Sequence, residues 1–121
     1  MSFYVILENN YTKNVDNLEV GDLVLCEDGY YYPVKSVLVT SGYPLFCRLS
    51  NGLTYYIPER MFIKTIKGFK KPELWDIIPI DKTLTPQIVS VTNIEKIMFF
   101  RDILIDGNMI TPEGVIFKYS S

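Results

Sequence analysis

The residues that could carry out chemistry are few, because the chain has two cysteines and no histidine. Without an imidazole, a Ser-His or Cys-His dyad and the commonest nitrogen ligand for metals are both excluded. Cys26 and Cys47 lie in separate strand-like segments, so we expect buried, reduced thiols rather than nucleophiles or a disulfide. The acidic residues between Glu19 and Asp28 sit at turns, where carboxylates cap backbone amides. We therefore expect no metal site and no cofactor.

A basic segment surrounds one aromatic residue in the middle of the chain. Such a segment can hold phosphate or a nucleic-acid strand, and a solvated hairpin face is the simpler interpretation. The binding candidates are Lys64, Lys67, Phe69, Lys70 and Lys71. The net charge of -2 argues against a nucleic-acid partner. The alternative is a small SH3-like β-barrel that binds nucleic acid or a peptide through the segment 64–71.

The elements that position these residues should be strands. The chain lacks Ala, the best helix former, and is rich in β-branched and aromatic residues. Short apolar segments alternate with turn signals, and Glu27-Asp28-Gly29 and Ser50-Asn51-Gly52 predict two hairpins. The segment 72–75 could form one helical turn, with Pro at its first position. We expect one compact, mostly β domain over residues 1–121, built from short hairpins with little or no helix.

The cellular setting follows from what the sequence lacks. No uncharged apolar run approaches the length of a membrane span, and the amino terminus lacks a basic stretch followed by an apolar one. Reduced thiols suit a cytosolic setting. We therefore expect a cytoplasmic protein with no membrane partner.

Four segments, taken in order, are similar to the sequence blocks of a known superfamily. They are residues 15–25 with Leu-Glu-Val-Gly-Asp at their centre, 48–62, 68–69 with 73–78, and the carboxy-terminal pair 100–105 and 114–119. In the third, Trp75 stands where the family usually has Gly. Together the segments resemble the Hint superfamily, the fold shared by inteins and the autoprocessing domain of hedgehog proteins.

The resemblance implies a specific chemistry. Hint domains cleave a peptide bond by moving an acyl group onto a Cys or Ser side chain at their amino terminus. A Thr-x-x-His imidazole and an Asp assist, and inteins end in a His-Asn pair whose Asn cyclises. On this chain the matched positions are Ile57 and Arg60 for Thr and His, Asp102 for Asp, and Lys118 and Tyr119 for the terminal pair. Only Asp102 retains the family residue.

The other matched residues cannot perform the family reaction. The Arg60 guanidinium stays charged and accepts no proton, although it could hold a carboxylate or an oxyanion. Tyr119 has no side-chain amide to cyclise. Ser2, exposed if Met1 is removed, has no peptide bond ahead of it to shift.

We therefore expect a catalytically degenerate, intein-like domain that is not an enzyme. Its role would be that of a structural or protein-interaction module with an unidentified protein partner, and the composition suggests a phage or environmental origin. Residual self-processing, by splicing or autocleavage, stays open as a second alternative.

Overall fold

The computed structural model describes residues 3–81, 83 and 85–120. The described chain consists of short antiparallel strands, which confirms the prediction of an all-β fold. The strands are β1 (Tyr4–Ile6), β2 (Thr12–Asn14), β3 (Leu23–Leu25), β4 (Tyr31–Pro33), β5 (Ser36–Gly42), β6 (Leu45–Leu49), β7 (Thr54–Ile57), β8 (Met61–Thr65), β9 (Gly68–Lys70), β10 (Ile88–Asn93), β11 (Met98–Leu104), β12 (Met109–Ile110) and β13 (Ile116–Tyr119). In this part of the chain the one helical element is a 3-10 turn, Val15–Asn17. No described helix is long and apolar enough to cross a membrane.

Both predicted hairpins are present, and in each the turn contains a glycine with a positive φ. Gly29 has a φ of 86° between β3 and β4, and Gly52 has a φ of 92° between β6 and β7. These left-handed values favour Gly, because any other side chain would crowd the following carbonyl. The turn residues therefore determined these pairings locally.

The helical turn expected at residues 72–75 is wrong. The Asp76 carboxylate instead accepts a hydrogen bond from the Glu73 N–H at 2.9 Å, which closes a reverse turn. The Trp75 N–H donates to the Ile88 carbonyl at 2.8 Å, across to β10. Trp75 has a φ of 72°, so this exposed Trp adopts the conformation that a Gly would take without strain.

The strands form several small sheets rather than one large one. Their orders are β1-β2, β3-β4, β11-β5, β10-β6-β7 and β12-β13-β8-β9. Single bridges link neighbouring sheets, with Leu7 opposite Val24 and Cys26 opposite Met109. The four-stranded sheet is the largest, and β13 lies inside it, between β8 and β12.

One aromatic cluster at β13 forms the centre of the core. The Phe117 side chain is completely buried. Its ring stacks on Phe3 with a centroid distance of 4.4 Å and meets the edge of Tyr55 at 5.0 Å. These contacts join the first described residue, β7 and the last strand into one core, and burying a side chain of this size contributes about 2–3 kcal/mol.

A lysine holds the turn between β7 and β8. Lys71 donates hydrogen bonds through Nζ to the carbonyl oxygens of Pro58 at 2.6 Å, Met61 at 2.7 Å and Glu59. The same ammonium lies 4.7 Å from the centre of the Phe62 ring. A single cation thus satisfies three carbonyls of one short turn and limits its conformation.

Replacing Lys71 by Met should lower the free energy of unfolding by about 2 kcal/mol, because charged hydrogen bonds to three carbonyls are lost while the aliphatic stem is kept. Urea denaturation measures the change. Lys67→Met, at an exposed position in the same segment, is the matched control and should shift stability by less than about 0.5 kcal/mol. Equal effects of the two substitutions would contradict this role for Lys71.

Candidate functional site

Pairing of β8 with β13 brings residues from the middle and the end of the chain together. Tyr119 lies opposite Met61 in the ladder. Just past the strand, the Ser120 N–H donates to the Arg60 carbonyl at 2.8 Å. β11 then supplies Asp102, whose Oδ2 lies 3.8 Å from Nε of Arg60. The matched positions thus meet in space although they span more than sixty residues of sequence.

Each matched side chain has a distinct environment. Ile57 is buried in the core and Tyr119 packs against it, partly buried. Burial raises the pKa of the Tyr119 hydroxyl, with a further contribution from the Asp102 carboxylate. Lys118 places Nζ 5.7 Å from the centre of the Phe69 ring. The Arg60 side chain pairs with Asp102 and is 59% exposed, so this cation is accessible from solvent.

Two adjoining cavities, of about 380 and 480 Å³, lie beside this pair. Arg60 and Asp102 line both of them, so we call the combined space the Arg60–Asp102 groove. Apolar residues of the smaller cavity are Tyr43, Leu45, Ile57 and Phe100. The larger cavity is more polar, with Asp106, Asn108, Lys118 and Ser120 in its lining beside Leu38, Ile103, Leu104 and Ile105. The groove therefore combines an apolar end, a mixed end and an ion pair that borders both.

Asp102 is poorly solvated within the groove. Burial raises the pKa of its carboxyl group, the Arg60 guanidinium lowers it and the Glu59 carboxylate raises it, with burial the largest effect. Among the described residues, no hydrogen-bond donor reaches the buried Oδ2. A buried oxygen without a hydrogen-bond donor is unfavourable, so this site favours a ligand that supplies the donor.

The thiols lie away from the groove, as buried cysteines. Burial raises the pKa of Cys26 to about 12, with help from the Asp28 and Glu27 carboxylates, and burial raises the pKa of Cys47 to about 12. Neither lines either cavity. The sequence prediction of two buried, reduced thiols is confirmed.

No group of three or more His, Cys, Asp or Glu side chains in the described ranges could hold a metal ion. Ser2, considered above as an amino-terminal nucleophile, lies outside the described residues.

The lysines around Phe69 are mostly engaged with neighbouring groups. Lys64 Nζ lies 2.7 Å from Glu27 Oε2 and 5.8 Å from the centre of the Phe69 ring. Lys70 lies 3.0 Å from the buried Asp76 and 3.2 Å from Glu73. Lys64 and Lys70 are thus ion-paired and Lys71 is bound to the turn after β7, whereas Lys67 is exposed.

The apolar wall of the groove was not anticipated from the sequence. Tyr43, Leu45 and Phe100 line it but carry no chemical signature of their own. Strand alternation could have located Phe100, because residues two apart on a strand share a face and Asp102 was already a candidate. Tyr43 lies in the connection between β5 and β6, so its position depends on the fold.

Removing the Arg60 cation should raise the pKa of Asp102 further. A carboxyl whose pKa is higher in the folded chain binds its proton more tightly there, so stability falls as pH rises from the unfolded-state pKa through the folded-state pKa. Arg60→Met should therefore destabilise the protein by about 0.5 kcal/mol at neutral pH, as for an exposed ion pair, and not at acid pH, where Asp102 is protonated.

Carboxyl chemical shifts followed by NMR against pH measure the Asp102 titration, and urea denaturation at both pH values measures the stability. Arg60→Lys is the control, because it keeps a cation near the carboxylate. An unchanged Asp102 titration in Arg60→Met would show that the two groups do not interact.

Comparison with solved structures identifies the architecture. The chain superimposes on the gp41-1 intein with a TM-score of 0.74 at 17% identity, covering 97% of this chain and 93% of that one. The MchDnaB-1 intein gives 0.75 at 17% identity, with 94% of each chain covered. A DnaB intein from Synechocystis sp. gives 0.75 at 18% identity, covering 98% of this chain and 94% of that one.

Sequence comparison adds nothing to this result, since the chain matches no family model and no curated protein. The structural similarity covers nearly the whole chain and includes the strands that carry the matched positions. The SH3-like barrel, which the sequence left open as an alternative fold, is therefore wrong. The chain therefore has the fold of inteins, the Hint fold, over almost all of its length.

Proposed function

We propose that the chain is a non-catalytic Hint-fold module that binds a segment of a partner protein in the Arg60–Asp102 groove. The observation that supports the proposal is the identity of the residues that line the groove. An arginine stands where the resemblance implies an imidazole, and it is paired with a partly buried carboxylate rather than with an acid-base partner.

Loss of self-processing follows from the chemistry of these side chains. Arg60 cannot exchange a proton at physiological pH, because the guanidinium is always charged. Ile57 has no hydroxyl and is buried, and Tyr119 has no amide that could cyclise. Both thiols are protonated and buried. No described side chain in the groove is therefore suited to activate or release an acyl group.

Binding of a polypeptide segment fits the form of the groove. An apolar wall beside a few polar groups is typical of binding sites. The Asp102 Oδ2 lacks a donor that a ligand N–H would supply, and Arg60 offers donors at the surface for a carbonyl or carboxylate. An extended peptide presents both kinds of group at regular spacing, together with side chains for the apolar end.

The chain, extended at each end by a short unrelated sequence, should keep its full mass during long incubation with a thiol or hydroxylamine. Intact-mass spectrometry makes the measurement, with Asp102→Asn as the comparison. We expect each of the two proteins to show only its own full-length mass. Cleavage or a thioester adduct in the native chain that disappears in Asp102→Asn would establish self-processing in the groove and refute the non-catalytic assignment.

Peptides selected from a random display library against the immobilised chain should depend on the groove. We expect Arg60→Met to weaken the selected peptides about tenfold, or about 1.4 kcal/mol. Arg48→Met, which removes an exposed arginine outside the groove, should leave their affinity unchanged. Fluorescence anisotropy gives the constants, and equal binding to both variants would place the interaction elsewhere.

A further inference from the structure

The core covers the two-stranded sheet of β5 and β11 at one end only, where Ile103 is buried and its cross-strand partner Val37 packs against the core. Successive residues of a strand point to opposite faces. Leu38 and Val39 are consecutive in β5, yet they are 59% and 62% exposed. Beyond Val37, β5 therefore presents apolar side chains on both faces that no element of the described protein covers.

The apolar surface continues onto β11. Val39 lies opposite Arg101 and Ser41 lies opposite Phe99, so Val39 and Phe99 are diagonal neighbours on one face. Phe99 is 77% exposed, the most exposed large apolar residue described. On the other face, Leu38 and the exposed Leu104 are also diagonal neighbours, because Leu104 lies opposite Ser36. Each face thus carries an apolar pair next to the β5 edge.

The edge of β5 has none of the usual protection against another strand. β5 pairs with β11 through seven consecutive residues without a bulge, and in the described part of the chain it has no second neighbour. Every other N–H and C=O along β5 therefore points away from the sheet. Proteins commonly guard such edges with charges, Pro or bulges. Residues 36–43 contain no charge and no Pro.

We propose that β5 pairs edge to edge with β5 of a second copy of this chain, forming an antiparallel two-fold dimer with a continuous four-stranded sheet. A two-fold contact places the same strand against itself, so it requires a self-complementary surface. An uncharged strand meets this requirement at any register, because no like charges come together. The small net charge of -2 adds little repulsion between copies.

Charge complementarity favours a second copy over a charged partner segment. The flanking Lys35 is already bound to Asp106 at 2.8 Å, and Arg101 donates to the Leu18 carbonyl at 2.9 Å. The β5 edge therefore offers a partner backbone groups and uncharged side chains, which another β5 supplies in equal number. Other β5 residues line the Arg60–Asp102 groove but Val39 does not, so substitutions at Val39 test the edge without changing a groove residue.

Analytical ultracentrifugation over a range of concentrations tests the dimer. We expect the native chain to sediment at twice its monomer mass. With the two-fold axis at Val39, the middle residue of β5, Val39→Lys and Val39→Glu should sediment as monomers, because each places like charges across that axis. Mixing the two variants should restore the doubled mass, since Lys and Glu then face each other. Restoration also shows that each variant is folded.

Val20→Lys is the matched control, because Val20 is equally exposed but lies in a turn outside the β5–β11 sheet. It should keep the doubled mass. A native chain that is monomeric at every concentration overturns the proposal. A dimer that survives both Val39 substitutions, or that Val20→Lys also abolishes, overturns it as well, because the contact would then not be the β5 edge.

Discussion

Burial of Phe117 is the constraint on which the rest of the structure depends. Its ring packs between Phe3 and Tyr55, so strands from the beginning, middle and end of the chain share one core. β13 can place Phe117 there only when it is paired with β8 on one side and β12 on the other. That pairing in turn brings the end of the chain to Arg60. The groove is a consequence of how the core is filled.

The Hint fold is built here without an imidazole at position 60. Arg60 occupies a turn whose carbonyls are held by Lys71, and the pair with Asp102 keeps its side chain over the cavities. None of these contacts requires an imidazole, because the backbone geometry comes from the ladder of β8 and β13. A scaffold held by strand pairing and core packing does not depend on an imidazole at this position.

Local and non-local features differed in how well the sequence predicted them. The hairpins at Gly29 and Gly52 were predictable, because the turn residues themselves impose the left-handed backbone. The turn before Asp76 was not, since Trp75 is held by a hydrogen bond to Ile88 on another strand. The lysines near Phe69 resembled a binding surface in sequence. Their ionic partners include Glu27, whose proximity to Lys64 only the fold creates.

The sequence by itself determined which reactions are excluded and which strands can turn back on each other. Absence of histidine removes imidazole chemistry in any fold, and a glycine in a short polar link sets its own backbone. Only the tertiary structure decided that Arg60, Asp102 and Tyr119 meet, that an Asp102 oxygen is buried without a donor among the described residues, and that β5 keeps an open edge there. The reason is physical: burial and pairing depend on residues distant in sequence, whereas the reactive groups available depend on composition alone.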